Sequence, residues 1–422
     1  MRAPALALAV AVAAAPAFAR DADGDTGRLR WGAVLDLRAA RASASESWLS
    51  GGLGKTRYGA LAGGGRNLLA LGQASFVADA TLSEVLGAHI QANFDAEPDP
   101  AVRRARAGLI EAFASYRPEP SPRLRLRFKA GLFFPPVSLE NTGHAWTTVH
   151  TITPSAINAW VGEELRSTGL EAVAAWRGAR NEGSVTAALF SNNDPAGSLL
   201  SWRGWAMHDR QTAVFDELPL APIASFAAGA PFEGRPHWTS PIREVDGRLG
   251  YYAGAAWSMD GAFDLRASRW DNRGTPAAFD GFQYSWYTEV LSAGARFRLP
   301  RGVEVLSQYM DGTTAMGQAP DGSLLVDNRF RAGFVLVTAA RGRHRLTGRY
   351  DWFDVEDRDV VADANTEDGR AWTAAYLVRL NEEARVAVEW LQVTSTRASR
   401  ADLDLATRAR ERQLQASLRL TF

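Results

Sequence analysis

The chain has 422 residues, of which 46% are hydrophobic, and it contains no cysteine. Its 47 basic and 47 acidic residues cancel, so the charge balance does not indicate a nucleic acid as partner. The absence of cysteine excludes both a disulfide framework and thiolate chemistry.

The first residues have the pattern of an export signal. Arg2 supplies a positive start, residues 5–15 form an apolar run, and the stretch 17–19 (Ala-Phe-Ala) has the form of a cleavage site. The apolar run is too short to span a bilayer, and polar residues follow it. We therefore expect residues 1–19 to be a cleaved signal peptide and residues 20–422 to be the mature protein.

Beyond the signal, apolar and polar residues alternate in many short segments. In residues 86–94, for example, every second residue is apolar, and His89, Gln91 and Asn93 fall on the other face. A period of two over about ten residues is typical of a strand that crosses a membrane in a barrel. Such segments lie at 28–40, 68–80, 84–94, 108–118, 122–133, 166–177, 183–192, 247–258, 262–272, 285–299, 302–311, 327–340, 343–354, 369–380, 383–394 and 409–422.

These segments predict an all-β fold, a transmembrane antiparallel β-barrel of about 16 strands. If the N-terminus is periplasmic, the periplasmic turns are short and the external loops are long. The long external loops are predicted at 41–67, 95–107, 134–165, 193–246, 273–284, 312–326, 355–368 and 395–408.

Aromatic residues near the strand ends predict two belts at the membrane surfaces. One belt comprises Tyr116, Trp176, Trp257, Phe297 and Phe422 at the periplasmic ends. The other comprises Phe133, Trp352, Trp372 and Trp390 at the external ends.

The last strand has apolar residues at every even position from Leu414 to Phe422. It resembles the C-terminal strand of Gram-negative outer-membrane barrels. The resemblance implies that Phe422 belongs to the sorting signal read by the barrel assembly machinery. It also implies that the protein lies in the outer membrane, in contact with lipid and lipopolysaccharide. The alternative is an amphipathic strand that ends a soluble β-sandwich.

The third long loop, residues 134–165, mixes turn prolines with apolar residues of the kind that become buried. Together with Tyr116-Arg117-Pro118 and the stretch 131–134 (Gly-Leu-Phe-Phe), it resembles the phosphate-selective porin family. The resemblance covers mainly residues 110–165. It implies that this loop folds inward and narrows the pore, and that the protein forms a homotrimer. Phosphate specificity itself is not expected, because the loop is net acidic.

Charged residues around this loop predict the constriction, with loop carboxylates opposite basic side chains of the fifth strand. The predicted pore-lining residues are Arg123, Arg125, Arg127, Lys129, Glu140, Glu163, Glu164, Arg30, Arg38 and Arg419. Further inward arginines are expected at Arg296, Arg298, Arg329, Arg331, Arg345 and Arg349. Arginine rings favour anions in a pore. The alternative is that these charges pair across strands and brace the wall.

The predicted function is passive diffusion of small hydrophilic solutes, with a weak preference for anions, through a water-filled channel. We predict no catalytic residue, no cofactor and no metal ligand. A channel specific for one solute class, such as phosphate, another anion or a sugar, is the first alternative. A barrel enzyme is the second, although none of the six histidines lies in a recognisable catalytic motif.

Overall fold

The computed structural model describes residues 28–43, 45–59, 65–94, 106–359, 361 and 364–422. The expected signal peptide, residues 1–19, lies outside the described residues. Sixteen strands of the described chain form one closed antiparallel barrel, in which neighbours along the chain pair and the first strand pairs with the last. The predicted fold class is therefore confirmed.

The barrel strands are numbered in chain order. They are β1 (Arg28–Ser43), β2 (Arg66–Thr81), β3 (Leu86–Phe94), β4 (Ala107–Tyr116), β5 (Leu124–Phe133), β6 (Ser167–Arg177), β7 (Asn181–Ser191), β8 (Gly250–Met259), β9 (Phe263–Asp271), β10 (Trp286–Leu299), β11 (Val303–Gln318), β12 (Leu324–Arg341), β13 (His344–Asp357), β14 (Glu367–Arg379), β15 (Ala384–Arg397) and β16 (Arg408–Thr421).

Smaller elements lie in the connections. The helices are α1 (Ala156–Glu164) and α2 (Ser198–Trp202), and the 3₁₀ turns are Trp48–Ser50, His144–Trp146, Ala224–Phe226, Pro300–Gly302 and Ala398–Leu403. A short ladder pairs Leu218–Pro219 with Trp238–Thr239. No helix within the described ranges has the length and apolar character needed to cross a membrane.

The barrel closes where the sequence places its last amphipathic strand. Leu35 lies opposite Leu420 and Leu37 opposite Leu418 in the β1–β16 register. The Phe422 N–H donates to the Ala33 carbonyl at 3.0 Å. Apolar side chains of β16 point outward and polar ones are buried inside the barrel, as the alternation predicts.

Long and short connections lie at opposite ends of the barrel, which we call the loop end and the turn end. Loop 1 (44–65), loop 3 (134–166) and loop 4 (192–249) are at the loop end. Two predicted long loops were wrong, because β11 and β12 fill most of 312–326 and strand or 3₁₀ turn fills most of 395–408. Toward the loop end of these strands, outward-facing residues such as Asp311 and Arg329 are charged. The strands therefore continue to pair where their sequence no longer alternates between apolar and polar residues.

Exposed aromatic side chains form rows at both ends of the outer face. The turn-end row comprises Tyr116, Trp176, Trp257, Phe297 and Phe422, and the loop-end row comprises Trp352, Trp372 and Trp390. Phe133, predicted in the loop-end row, is fully buried. It shares a face with Lys129 and therefore points into the lumen, where it packs beneath loop 3.

The main apolar core lies inside the barrel. Phe330, Phe334 and Leu336 on β12 point inward, while Val335 and Val337 between or beside them are exposed on the outer face. The inward side chains pack against Trp160 of α1 and Trp205 of loop 4. The loop-end half of the lumen is consequently filled by protein.

Candidate functional site in the barrel lumen

Loop 3 crosses the lumen from β5 to the far wall, as predicted. Arg349 on β13 forms an ion pair with Glu140 of loop 3 at 3.1 Å and donates to the carbonyls of Thr153 and Pro154 at 2.8 and 2.9 Å. The Glu389 carboxylate on β15 accepts N–H groups of Ile152 (2.6 Å) and Thr153 (3.0 Å). These buried charges fix loop 3 to the opposite wall.

The helix α1 stiffens the inner part of loop 3. Ser155 caps its N-terminus by accepting the Asn158 N–H at 3.3 Å. The Asn158 side chain donates to Glu140 at 2.7 Å. Every residue of α1 is buried, and Trp160 lies against Trp205 and Phe330.

Loop 4 enters the barrel above loop 3, which the sequence does not predict. The two nitrogens of Arg203 bind the Glu163 carboxylate at 2.9 and 2.7 Å, and His208 Nε2 lies 3.0 Å from it. Burial alone would raise the pKa of Glu163, but the charge of Arg203, aided by His208, holds that pKa well below its usual value. We call residues 203–216 the loop 4 limb.

Loop 1 also enters the barrel, where it contacts loop 4 and the wall. Lys55 Nζ lies 2.5 Å from the Glu367 carboxylate of β14 and donates to the Arg203 carbonyl at 3.0 Å. Gly204 has a φ of +76°, and a Cβ there would lie 1.7 Å from Glu367. Only glycine can therefore occupy this position against the buried ion pair.

Glu164 joins loops 3 and 4. Its carboxylate accepts the Leu199 N–H at 3.1 Å and the Ser198 hydroxyl at 3.0 Å, and the Trp160 indole N–H also donates to it. Burial raises its pKa from 4.5 to about 7. The folded junction therefore favours the protonated, neutral form of the Glu164 side chain.

We expect the junction to weaken as the pH rises. Because the folded pKa of Glu164 is raised, its stabilising contribution is complete below about pH 4.5 and is lost as the pH rises through about 7. Between pH 5 and 8 the thermal unfolding midpoint should fall, by an equivalent of up to about 3 kcal/mol. In Glu164→Gln, which cannot titrate, this part of the fall should disappear. An identical pH profile in both proteins would contradict the role assigned to Glu164.

A small gap lies between loop 3, the loop 4 limb and the wall. It has a volume of about 10 Å³, room for a single water molecule, and Gln73, Asp209, Gln211 and Arg419 line it. Asp209 lies 2.8 Å from both Arg38 and Arg57. These two cations hold the pKa of Asp209 well below its usual value, against the effect of burial. The limb is thus ion-paired in the gap.

Arg419 also lines a larger cleft on the turn-end side of loop 3. The cleft has a volume of about 410 Å³. Its charged lining residues are Arg343, Arg345, Arg379, Arg385, Arg419, Glu382 and Glu383. Since arginines outnumber glutamates there, the cleft is positively charged.

Three of these arginines form a row across adjacent strands. Arg379 on β14 lies directly opposite Arg385 on β15, which lies directly opposite Arg419 on β16. Like charges in such positions destabilise a sheet. Arg419 pairs with Asp36 at 2.7 Å, whereas no carboxylate of the described chain lies within ion-pair distance of Arg379 or Arg385. We call Arg379, Arg385 and Arg419 the arginine row.

The basic residues predicted on β5 are on the opposite wall and are compensated. Arg125 contacts Glu182, while Arg127 and Lys129 lie 3.6 and 3.5 Å from Glu171. They brace the wall across strands, as the alternative interpretation proposes. Arg123 is exposed in the turn that precedes β5, where its carbonyl accepts the Arg177 N–H at 2.8 Å.

The other predicted residues are distributed between the gap and the anchors. Arg38 and Arg419 both pair with Asp36, at 3.1 and 2.7 Å, and Arg30 lies opposite Asp79 toward the turn end. The three loop glutamates, Glu140, Glu163 and Glu164, are buried anchors and do not line the gap.

Arg329 and Arg331, predicted to point inward, are on the outer face. They pair there with Asp311 and Asp354, at 2.8 and 2.9 Å. Like the exposed Val335 they have odd residue numbers, whereas the inward-facing residues of β12 have even numbers. The apolar inner face of β12 made the charged outer positions look like lumen positions.

The sequence prediction missed Arg379, Arg385 and Asp209. The alternation around β15 places Arg385 on the face of Glu389 and could have identified it as a lumen residue. Asp209 lies in a long loop without periodicity, and its insertion depends on contacts with Arg38 and Arg57, which are distant in the sequence.

No protein-family model matches the sequence, and no curated protein matches it significantly. Solved structures do share the fold. The outer membrane channel DcaP of Acinetobacter baumannii is 10% identical with a TM-score of 0.55, covering 94% of this chain and 97% of that one. OmpT, an outer membrane protein of Vibrio cholerae, is 10% identical with a TM-score of 0.53, covering 96% and 100%. OmpF of Salmonella typhi, solved with daunomycin, is 10% identical with a TM-score of 0.52, covering 94% and 98%. At these identities, the likeness shows a common barrel fold.

Proposed function

We propose that the protein is a channel of the Gram-negative outer membrane that admits small hydrophilic solutes by passive diffusion and prefers anions. The apolar outer face between two aromatic rows suits a bilayer, and the long loops are then external. The observation that carries the anion preference is the arginine row, in which Arg379 and Arg385 have no carboxylate partner within the described chain. Uncompensated positive charge on a pore wall attracts anions.

The gap restricts what can pass between loop 3 and the loop 4 limb. A volume of about 10 Å³ admits one water molecule, so a larger solute needs the loop 4 limb to move in order to pass there. The cleft beyond the gap is wide enough for an organic molecule. The narrow gap followed by a charged cleft favours the second candidate, an uptake channel for one class of anionic solute.

The test is single-channel conductance of the refolded mature protein in a planar bilayer, with the reversal potential under a salt gradient. We expect stepwise conductance and a reversal potential on the anion-selective side. Current that saturates with one added anion would favour the solute-specific channel, and a linear dependence would favour general diffusion. No conductance from a demonstrably folded barrel would refute both.

Arg385→Gln should move the reversal potential toward the unselective value, because it removes the central charge of the arginine row. Arg127→Gln is the matched control on the opposite wall and should shift the reversal potential less, since Glu171 lies 3.6 Å from Arg127 and partly compensates the charges of Arg127 and Lys129. Equal shifts of the reversal potential in the two variants would show that the arginine row does not set the selectivity.

A further inference from the structure

Unpaired arginines cluster on the outer face just beyond the loop-end aromatic row. Trp372 lies directly opposite Gln392, and Gln392 lies directly opposite Arg412. Arg412 is therefore on the outer face of the barrel, at the level of that row. Arg41 lies opposite the exposed Leu414 on the same face. The arginine patch consists of Arg41 on β1, Arg370 on β14, and Arg408, Arg410 and Arg412 on β16, all exposed.

Outward arginines on the loop-end halves of β9 and β12 have acidic partners. Arg269 lies 2.5 Å from Glu289, and Arg329 and Arg331 have the partners given above. By contrast, no carboxylate in the described part of the chain lies within ion-pair distance of any arginine of the patch. The Arg412 guanidinium donates to the uncharged Gln392 side chain, at 3.0 Å. At the loop end, arginines of the patch without an ion-pair partner are therefore grouped in one sector, β14 to β1.

We propose that the arginine patch binds the headgroup phosphates of a lipid in the outer leaflet. A guanidinium binds a phosphate through two parallel hydrogen bonds. The neighbouring tryptophans mark the level at which headgroups meet the hydrocarbon, so phosphates would lie at the height of these arginines. This proposal needs the membrane placement proposed above but does not need the channel to conduct.

The size of the patch indicates a headgroup with more than one phosphate. Strand spacing places β14 and β16 about 10 Å apart, and Arg408 and Arg412 are separated by about 14 Å along their strand. Such an area can hold two phosphates at once, whereas a single phosphate leaves most of the arginines unpaired. A second copy of this chain is a poorer occupant, because two such patches would repel each other.

The experiment titrates the refolded mature protein in detergent with diphosphoryl lipid A in mixed micelles, followed by tryptophan fluorescence. Arg370→Gln/Arg410→Gln/Arg412→Gln should weaken binding roughly tenfold or more. The matched control, Arg269→Gln/Arg329→Gln/Arg331→Gln, removes the same charge from the paired sector and should bind like the wild type. We call the triple substitution of Arg370, Arg410 and Arg412 the patch variant. Raising the ionic strength should lower the affinity of the wild type for lipid A toward that of the patch variant, and this measurement needs no mutation.

Equal affinities of the patch variant and the wild type would overturn the proposal, as would an equal loss in the control variant. Displacement of lipid A by equimolar inorganic phosphate would identify a site for the free anion instead of a lipid. A change of oligomeric mass in the patch variant, with lipid affinity unchanged, would identify a contact between copies. Lipid binding by a barrel that carries no current would refute the channel and leave this proposal intact.

Discussion

Replacing Arg349 with methionine should release loop 3 from the far wall and increase the single-channel conductance. The buried guanidinium binds Glu140 and Asp351, at 3.1 and 2.8 Å, and two loop carbonyls. Methionine removes the cation and leaves both carboxylates buried without it. Removing one partner of a buried pair costs roughly 3–5 kcal/mol. Since these contacts join loop 3 to β13, we expect this loss to fall mainly on the docking of the loop.

The comparison for this variant is Arg331→Met. It also breaks an ion pair, with Asp354 at 2.9 Å, but on the partly exposed outer face. Its effect on stability should be at most about 1 kcal/mol, and its conductance should equal that of the wild type. If the barrel with Arg349→Met folds and conducts like the wild type, Arg349 does not hold loop 3 in place.

Replacing Asp209 with alanine should both widen the gap and strengthen the preference for anions. Asp209 is the carboxylate of the loop 4 limb that Arg38 and Arg57 share, each at 2.8 Å. Without it, Arg57 lacks that ion-pair partner, and the limb loses its attachment to β1 and loop 1. The cost is again roughly 3–5 kcal/mol. The gap also loses a negative charge, so the reversal potential should move further to the anion-selective side.

The two measurements separate the roles of the limb and of its charge. Asp209→Asn keeps the side-chain shape and removes the charge, so it should shift the reversal potential as alanine does but increase the conductance less. The control Asp321→Ala removes an exposed carboxylate from the short connection between β11 and β12 and should change neither quantity. An unchanged conductance in Asp209→Ala would mean that the limb is not the obstruction.

The sequence alone determined the barrel, because membrane strands reveal themselves locally. Each strand must present apolar side chains to lipid at every second position, and that period is visible within about ten residues. The alternation of β16 predicted its apolar outward face, and the structure shows this strand paired with β1. The inward course of loop 3 was predicted from a resemblance that covers mainly residues 110–165, and the contacts of Arg349 and Glu389 with that loop confirm it.

The interior was decided by the tertiary structure. The arginine row depends on the register of β14, β15 and β16, which aligns Arg379, Arg385 and Arg419, and a period of two specifies a face but not a partner on it. Loop 4 has no periodicity, and it enters the lumen through ion pairs such as those of Arg203 with Glu163 and Asp209 with Arg38. Attractions of this kind join residues far apart in the chain, so only the folded structure shows that loops 1, 3 and 4 meet inside the barrel.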